Sequence, residues 1–177
     1  TITAPGTVTV SANASCEATG VALGTPTTAD NCGVNPATND APATFPIGNT
    51  TVTWTVTDAA GNSASATQTV TVEDNTNPTI VSLPANISVN NDPGVCEATV
   101  TWTAPTSADN CAGSSIALTS ALANGATFPI GVSTVTYRAT DAALNTFDAS
   151  FTVTVLDNEN PTIVSLPANI SVNNDPG

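Results

Sequence analysis

The chain has 177 residues, of which fourteen are Asp or Glu, one is Arg and none is Lys or His, giving a formal net charge of −13. A chain with one cation is poorly suited to bind the phosphates of nucleic acids or an anionic membrane surface, which excludes both classes of partner. No apolar run is long enough to cross a membrane, so we predict no membrane insertion in this segment.

The sequence contains tandem copies of one repeat. Residues 77–94 and 160–177 both read NPTIVSLPANISVNNDPG, and the same spacing of 83 positions separates the two copies of FPIG and of TDAA. Recurrence of this kind indicates an array of units of about 80 residues. We predict one domain over residues 1–76, a second over 77–159, and the first strand of a truncated third repeat over 160–177. We expect the sequence to be a window from a longer chain.

Each unit is predicted to be an antiparallel β-sandwich. Thr and Val favour strands, apolar and polar residues alternate, and Asn, Pro, Gly and Asp mark turns about every 8–12 residues, with no helical period. Pro84 interrupts the first strand of unit two, which is tolerated at a sheet edge. The predicted strands are 1–10, 16–23, 50–57 and 65–72 in unit one, and 79–83 with 86–89, 96–102, 116–120, 132–139 and 146–156 in unit two.

Large aromatic side chains are predicted to anchor the two cores. Trp54 of unit one occupies the position of Tyr137 in unit two, whereas Trp102 comes from a different strand. Each unit thus has one Trp near its centre, and the two Trp residues come from non-equivalent strands. This is expected if the volume of the core is fixed and the strand that fills it is not. We also assign Phe45 and Phe128, from the two FPIG motifs, to these cores.

Each unit has two cysteines, Cys16 with Cys32 and Cys96 with Cys111. A zinc site is disfavoured because there is no His and no CxxC motif. A redox-active thiol is disfavoured because no cation is nearby to lower its pKa. We predict one disulfide within each unit, contributing about 3 kcal/mol for a loop of this length. Disulfides of this kind indicate a location outside the cytosol.

The ordered motifs resemble the hyalin repeat (HYR), an immunoglobulin-like module of extracellular and cell-surface proteins. The resemblance rests on PxNIxVNNDPGxCEATVxW, then ADNC, FPIG, TVTY, TDAA and FTVTV, and covers both units and the final segment. It implies an all-β fold of tandem Ig-like sandwiches, an adhesion or interaction role, and an extracellular or cell-surface location. The acidic, Thr-rich, lysine-free and nearly identical repeats also resemble the repeat regions of giant bacterial surface adhesins.

Two positions depart from the family pattern. The family commonly has a third Cys in the last strand, where this chain has Ala66 and Ala149, so the resemblance leaves the two Cys of each unit as the pair. The hairpin residue Gly61 is replaced in unit two by Leu144. A turn that relies on positive φ at Gly61 is therefore expected to have another shape in unit two.

The side-chain chemistry disfavours an enzyme. Without His or Lys, and with the thiols paired, no nucleophile and base can be assembled. The carboxylates lie in predicted loops or on solvent-facing strand positions, so we predict no catalytic activity.

Calcium is the predicted cofactor, at the junctions between repeats. The linker that leaves one sandwich is delivered to the pole of the next sandwich that carries two acidic loops, so oxygen ligands converge there. The alternative is that Asp and Asn only form turns and keep the linkers polar. The candidate calcium ligands are Glu73, Asp74, Asn75, Asn77, Asp109, Asn110 and Asp141, with Asp157 and Glu159 in the second linker.

These observations predict a non-catalytic extracellular repeat that forms a stalk or filament of a cell-surface adhesin, with neighbouring repeats as partners. One alternative is an adhesin domain that binds a glycan or protein with its pole loops, since loops 33–44 and 112–127 are unrelated in sequence. Another is a filament subunit, in which residues 160–177 complete the sheet of a neighbouring chain by strand addition. That alternative is disfavoured because unit one has its own first strand.

Overall fold

The computed structural model describes residues 1–173, which form two β-sandwich units of the same plan. This confirms the predicted all-β fold class. Within residues 1–173 there is no α-helix, and hence no helix able to span a membrane. The last four residues of the predicted third-repeat strand, 174–177, lie outside the described residues. Residues 160–173 of the same segment form no strand.

Short, alternating strands make up both units, as the Thr- and Val-rich sequence predicts. Unit one contains β1 (Ile2–Thr3), β2 (Val8–Ser11), β3 (Glu17–Thr19), β4 (Thr27–Thr28), β5 (Thr38–Asn39), β6 (Thr44–Pro46), β7 (Gly48–Thr57) and β8 (Ser63–Glu73). Unit two contains β9 (Thr79–Val81), β10 (Ile87–Asn90), β11 (Glu97–Thr99), β12 (Thr106–Ala108), β13 (Ser115–Leu118), β14 (Thr127–Pro129), β15 (Gly131–Thr140) and β16 (Thr146–Leu156).

Each unit is built on a long hairpin. In unit one the sheet order is β2-β8-β7-β5, and the strand pairs β1-β4 and β3-β6 cover it. Unit two repeats this arrangement with β10-β16-β15-β13, β9-β12 and β11-β14. One feature differs from the predicted antiparallel sandwich, since β2 and β10 pair in parallel with the last strands. The interruption of the first strand lets its second half cross to the other sheet and lie beside the last strand.

The core lies between the sheets and contains most of the predicted anchors. Phe128 is fully buried, Phe45, Trp54 and Tyr137 are buried, and Trp102 is half-buried against the core of unit two. The valines of the central hairpins fill the rest because strand alternation turns every second residue inward. These valines are Val52, Val56, Val70 and Val72 in unit one and Val135, Val153 and Val155 in unit two.

The two cores satisfy their buried polar groups differently. The Trp54 Nε1–H donates to Oε1 of Gln68 at 2.9 Å, and Gln68 is 2% exposed. In unit two, Phe151 occupies the position of Gln68, and Trp102 packs edge-on against it with ring centroids 5.2 Å apart. The Trp102 Nε1–H donates to the Tyr137 hydroxyl at 3.0 Å. Each indole therefore buries its ring and still has a hydrogen-bond acceptor.

The long hairpins fix two opposite poles in each unit. In unit one, Gly48 pairs with Val72 at one end of the hairpin and Thr57 pairs with Ser63 at the other. Nine residues of extended strand separate these ends, which is about 30 Å. We call the end near Ser63 the N-terminal pole, since β1 begins there, and the end near Val72 the C-terminal pole. The C-terminal pole of unit one faces the N-terminal pole of unit two.

Candidate functional site at the junction between the units

A disulfide joins the two units. Cys16 of unit one is bonded to Cys111 of unit two, with their Cα atoms 4.9 Å apart. Cys32 and Cys96 are exposed free thiols. The predicted pairs within each unit, Cys16 with Cys32 and Cys96 with Cys111, are therefore wrong in this structure.

The pairing follows from the poles on which the cysteines lie. Cys16 follows β2, whose last residue pairs with Glu73 at the C-terminal pole. Cys32 follows β4, at the N-terminal pole, where the nearby Asn35 N–H donates to the Thr57 carbonyl. The chain between the two cysteines crosses the unit once, so about 30 Å separates them, far beyond the roughly 7 Å Cα separation that a disulfide can span.

Hydrogen-bonded turns hold both bonded cysteines in place. The Asn13 side-chain oxygen accepts the N–H of Ser15 at 2.8 Å, and the Asn13 carbonyl accepts the N–H of Cys16 at 3.0 Å. Cys16 adopts a φ of 61°, which is unusual for a residue with a side chain. In unit two, Asp109 accepts the N–H of Cys111 at 3.0 Å. Such turns orient the backbone through hydrogen bonds that lie within one unit.

Two Asn side chains of unit two bind unit one and its linker. The Asn110 side-chain amide donates to the Asn13 carbonyl at 3.1 Å. The Asn145 amide donates to the carbonyls of Asp74 at 3.0 Å and Thr76 at 3.3 Å. Neither Asn13 nor Asn145 was predicted as a site residue. The spacing D-x-x-x-N, present at Asp58 and again at Asp141, is the sequence signal that identifies the second.

The turn that carries Asn145 has the same geometry as its counterpart in unit one. Leu144 has a φ of 72° and Gly61 a φ of 90°. Both oxygens of Asp141 accept hydrogen bonds from Asn145, at 2.8 Å from the backbone N–H and 2.9 Å from the side-chain amide. The expected change of shape does not occur. These hydrogen bonds hold Leu144 in the left-handed conformation, which costs about 1–2 kcal/mol for a residue that has a Cβ atom.

Three oxygen atoms are buried at the junction without a hydrogen-bond partner. They are Oδ2 of Asp74, Oδ1 of Asp109 and Oδ1 of Asn110. Asp74 is 8% exposed, and ligand atoms of Asp74, Asp109 and Cys111 lie within 4.8 Å of one another. The Cys111 sulfur is already in a disulfide, so the donors available to a cation are oxygens. Two carboxylates and an amide oxygen are hard ligands that suit Ca²⁺.

The structure gathers some of the predicted calcium ligands and separates the rest. Asp141 is buried at the junction, but its two oxygens accept hydrogen bonds from Asn145. Asn75 donates to Ser11 of unit one at 3.1 Å. Glu73, Asn75 and Asn77 are exposed. In the second linker, Asp157 accepts the N–H of Glu159, which itself accepts the N–H of Gly94.

An open groove runs beside the disulfide, with a volume of about 660 Å³. Its walls come from both units, and small side chains such as Ala142 and Ala143 line the side of unit two. Ile47 and Val72 of unit one add to this mainly apolar wall, and Ile47 is 43% exposed in it. The disulfide and the hydrogen bonds donated by Asn110 and Asn145 are the bonds that join unit two to unit one and its linker.

Arg138, the one cation of the sequence, lies away from this site. It makes two hydrogen bonds of 2.7 Å to the carboxylate of Asp148 on the neighbouring strand. This pairing lowers the pKa of Asp148 and raises that of Arg138. Both side chains are about half exposed, so the pair is a surface salt bridge of modest energetic weight.

The fold and the junction define a tandem-repeat protein whose β-sandwich units are linked pole to pole through a covalent bond. The HYR domain family matches residues 1–72 and 73–155, and the chain therefore belongs to this family. The matched boundaries lie a few residues before the predicted ones.

Two sea-urchin proteins are similar in sequence. Over 150 residues the chain is 34% identical to hyalin of Strongylocentrotus purpuratus and 32% identical to hyalin of Lytechinus variegatus, in each case over 81% of the chain. The matched region spans 12% and 28% of these two hyalins.

The solved structures to which the chain is similar include human protocadherin-24 EC1-2, at 14% identity, a TM-score of 0.40, and coverage of 85% of this chain and 95% of that chain. Protocadherin gamma C5 EC1-3 matches at 12% identity and a TM-score of 0.38, covering 87% of this chain and 67% of that chain.

Proposed function

We propose that this chain is a non-catalytic, extracellular adhesion repeat that acts as a stiff spacer in a stalk or filament of a cell-surface adhesin. The observation that carries the proposal is the junction, where one disulfide and three hydrogen bonds hold unit two against unit one and its linker. Fixed junctions turn a row of domains into a rod whose reach grows with the number of repeats.

Membership of the HYR family and the similarity to hyalins support an extracellular role. A structural disulfide also suits an oxidising environment. The absence of His and Lys from the sequence supports a mechanical role over a catalytic one. Placement on a bacterial surface rests on composition alone and stays a prediction.

The described residues disfavour strand addition as the mode of assembly. In unit one, β2 already pairs with the last strand, and in unit two β10 does the same. Neither unit therefore leaves its last strand open to a first strand from another chain. Contacts between poles are the better-supported route to a filament, and a surface glycan or protein bound by the pole loops remains the alternative partner.

Small-angle scattering of the oxidised chain tests the spacer proposal. We expect a single extended shape, and a more flexible ensemble for the Cys16→Ser/Cys111→Ser variant. The Cys32→Ser/Cys96→Ser variant is the matched control, since both of its thiols are exposed and unbonded. If the oxidised chain already behaves as two freely rotating units, the spacer role is refuted.

Calcium binding at the junction is part of this proposal. A buried, unpartnered side-chain oxygen costs about 1–3 kcal/mol or more, and the junction contains two such carboxylate oxygens, of Asp74 and Asp109, and one amide oxygen, of Asn110. A cation bound there would satisfy all three and offset the repulsion between two carboxylates. The support for calcium binding is therefore a set of ligand oxygens that are buried without a hydrogen-bond partner, which is unfavourable unless a cation is bound.

Thermal unfolding in millimolar calcium and in chelator tests this site. We expect calcium to raise the melting temperature of the native sequence but not that of the Asp74→Asn/Asp109→Asn variant. Asp30→Asn is the matched control. Asp30 makes the same turn as Asp109, but it lies at the N-terminal pole of unit one, which faces no neighbouring unit. No heat of binding by calorimetry and an equal response of all three proteins would contradict calcium binding while leaving the covalent junction intact.

A further inference from the structure

The two poles that face no neighbour present the same groups as the closed junction. The N-terminal pole of unit one carries Asp30, Asn31 and Cys32, the counterparts of Asp109, Asn110 and Cys111. The C-terminal pole of unit two carries Cys96, the counterpart of Cys16. Each free thiol is therefore one half of the disulfide that the structure already contains once.

The free N-terminal pole has the geometry of the bonded one. Asp30 accepts the N–H of Cys32 at 3.0 Å, the same distance as from Asp109 to the N–H of Cys111. The Asp58 carboxylate accepts the two N–H groups of Asn62 at 2.9 and 2.8 Å, as Asp141 does from Asn145. Hydrogen bonds within the pole position its side chains, and no neighbouring unit is required. It is preorganised to receive a preceding repeat.

The free C-terminal pole is similar, with one local difference. The Asp92 N–H donates to the Glu97 carbonyl at 2.7 Å, as the Asn13 N–H does to the Glu17 carbonyl at 2.8 Å. The turn before Cys96 contains one more residue than the turn before Cys16, and Gly94 adopts the positive φ. Residues 160–177 repeat the sequence of 77–94, including the Asp-Pro-Gly of this turn.

The apolar segment after unit two also indicates that another repeat is the neighbour of the C-terminal pole. Ile163, Leu166 and Ile170 are each at least 75% exposed. Their counterparts in unit two, Ile80, Leu83 and Ile87, are half-buried and pack against its core. This segment repeats a core-packing sequence, and within the described residues its apolar side chains are exposed, so it is suited to the core of a further repeat.

We propose that Cys96 forms a disulfide with the Cys111 counterpart of a following hyalin repeat, and that Cys32 bonds to the Cys16 counterpart of a preceding one. The partner of each open pole is thus another repeat of this kind. This inference rests on the proposed spacer function and extends it, because every junction of the array then carries one covalent link. Formation of each link removes two protons and two electrons from two thiols, which a low-molecular-weight disulfide accepts while being reduced to two thiols.

An extended chain tests the proposal directly. Residues 160–177 are identical to 77–94, so adding a copy of residues 95–159 after Gly177 completes a third repeat without a foreign joint. The protein is oxidised in a glutathione redox buffer and digested with a protease that cuts at acidic residues. Disulfide-linked peptides are then identified by mass spectrometry without reduction. We expect two free thiols among the six cysteines, with Cys96 linked to the Cys111 counterpart in the added repeat.

Other outcomes distinguish this inference from the spacer function. Four free thiols with Cys16 still bonded to Cys111 would overturn the inference and leave the first junction in place. Pairing within each repeat would refute both. A variant of the extended chain with Ser for that added Cys111 counterpart is the control, and it should leave Cys96 free.

If the extended chain does not fold, the original chain still tests the inference by head-to-tail joining. Oxidation at high concentration should give Cys96–Cys32 linked dimers, and dimers linked Cys96 to Cys96 would contradict pole-to-pole recognition.

Discussion

Breaking the disulfide between the units should destabilise the protein, whereas removing the two free thiols should not. The perturbation is the double variant Cys16→Ser/Cys111→Ser, compared with Cys32→Ser/Cys96→Ser. The bonded pair is separated by 95 residues in sequence. In the chain-entropy treatment, opening a loop of this size lowers the summed free energy of unfolding by about 4.7 kcal/mol.

The control variant changes two exposed thiols that have no partner. Substitutions of this kind alter the free energy of unfolding by about 0.5 kcal/mol or less. Pairing within the units would give a different result, because either double variant would then open both loops. Each of those shorter loops is worth about 3 kcal/mol, so both variants would lose about 6 kcal/mol.

Denaturant unfolding of the oxidised proteins measures the difference. Trp54 reports on unit one and Trp102 on unit two, and circular dichroism follows the strands of both. For a chain of this length, a loss of about 4.7 kcal/mol lowers the melting temperature by about 10–20 °C. Equal losses in the two double variants would refute the disulfide between the units, and no loss in either would show that the disulfide has no stabilising role.

Three further predictions concern side chains away from the disulfide. Gln68→Leu removes the acceptor of the buried Trp54 indole and should lower the free energy of unfolding by about 1–3 kcal/mol, with a changed Trp fluorescence maximum. Arg138→Ala should raise the pKa of Asp148 towards its ordinary value of 3.8, measured by carboxyl NMR titration, with little change in stability at pH 7. Hydrogen bonds, mainly from Asn62, also lower the pKa of Asp58 from its ordinary value of 3.8. The stability that these hydrogen bonds contribute is therefore fully present above pH 3.8 and is lost as the pH falls through the lowered pKa of the folded protein. An Asp58→Asn variant should therefore unfold with a weaker dependence on pH in this range.

The repeat and the strand alternation were sufficient to predict the fold. Val135, Val153 and Val155 alternate with polar residues in the sequence and point into the core of unit two. The parallel pairing of β2 and β10 was not predictable, because a strand that changes sheets has the same local sequence as one that does not. The Gln68 that replaces Phe151 was also missed, since its role depends on Trp54 from the opposite strand.

The cysteine pairing was predicted wrongly even though the sequence contains a relevant signal. Spacing suggested a short loop, but the residues between Cys16 and Cys32 form one traverse from the C-terminal pole to the N-terminal pole. A single traverse places its two ends at opposite poles, so the nearest possible partner lies in the next repeat. A tandem-repeat sequence has the same number and the same periodicity of cysteines whether its disulfides form within units or between them. The two cases are distinguished only by how many times the chain crosses the unit between the two cysteines.

The composition of the junction explains why a covalent bond is needed there. The surfaces that meet carry Asp74, Asp109 and Asn110, and two of these are carboxylates that repel each other in the absence of a cation. The groove beside them is open and Ile47 in its wall is 43% exposed, so this apolar surface is not buried between the units and does not compensate for that repulsion. A disulfide holds the poles together at any cation concentration, and the oxygens then become a preorganised site that a divalent cation can fill. Reduction should therefore weaken calcium binding, whereas removal of calcium should leave the disulfide unchanged, and calorimetry on reduced and oxidised protein measures this asymmetry.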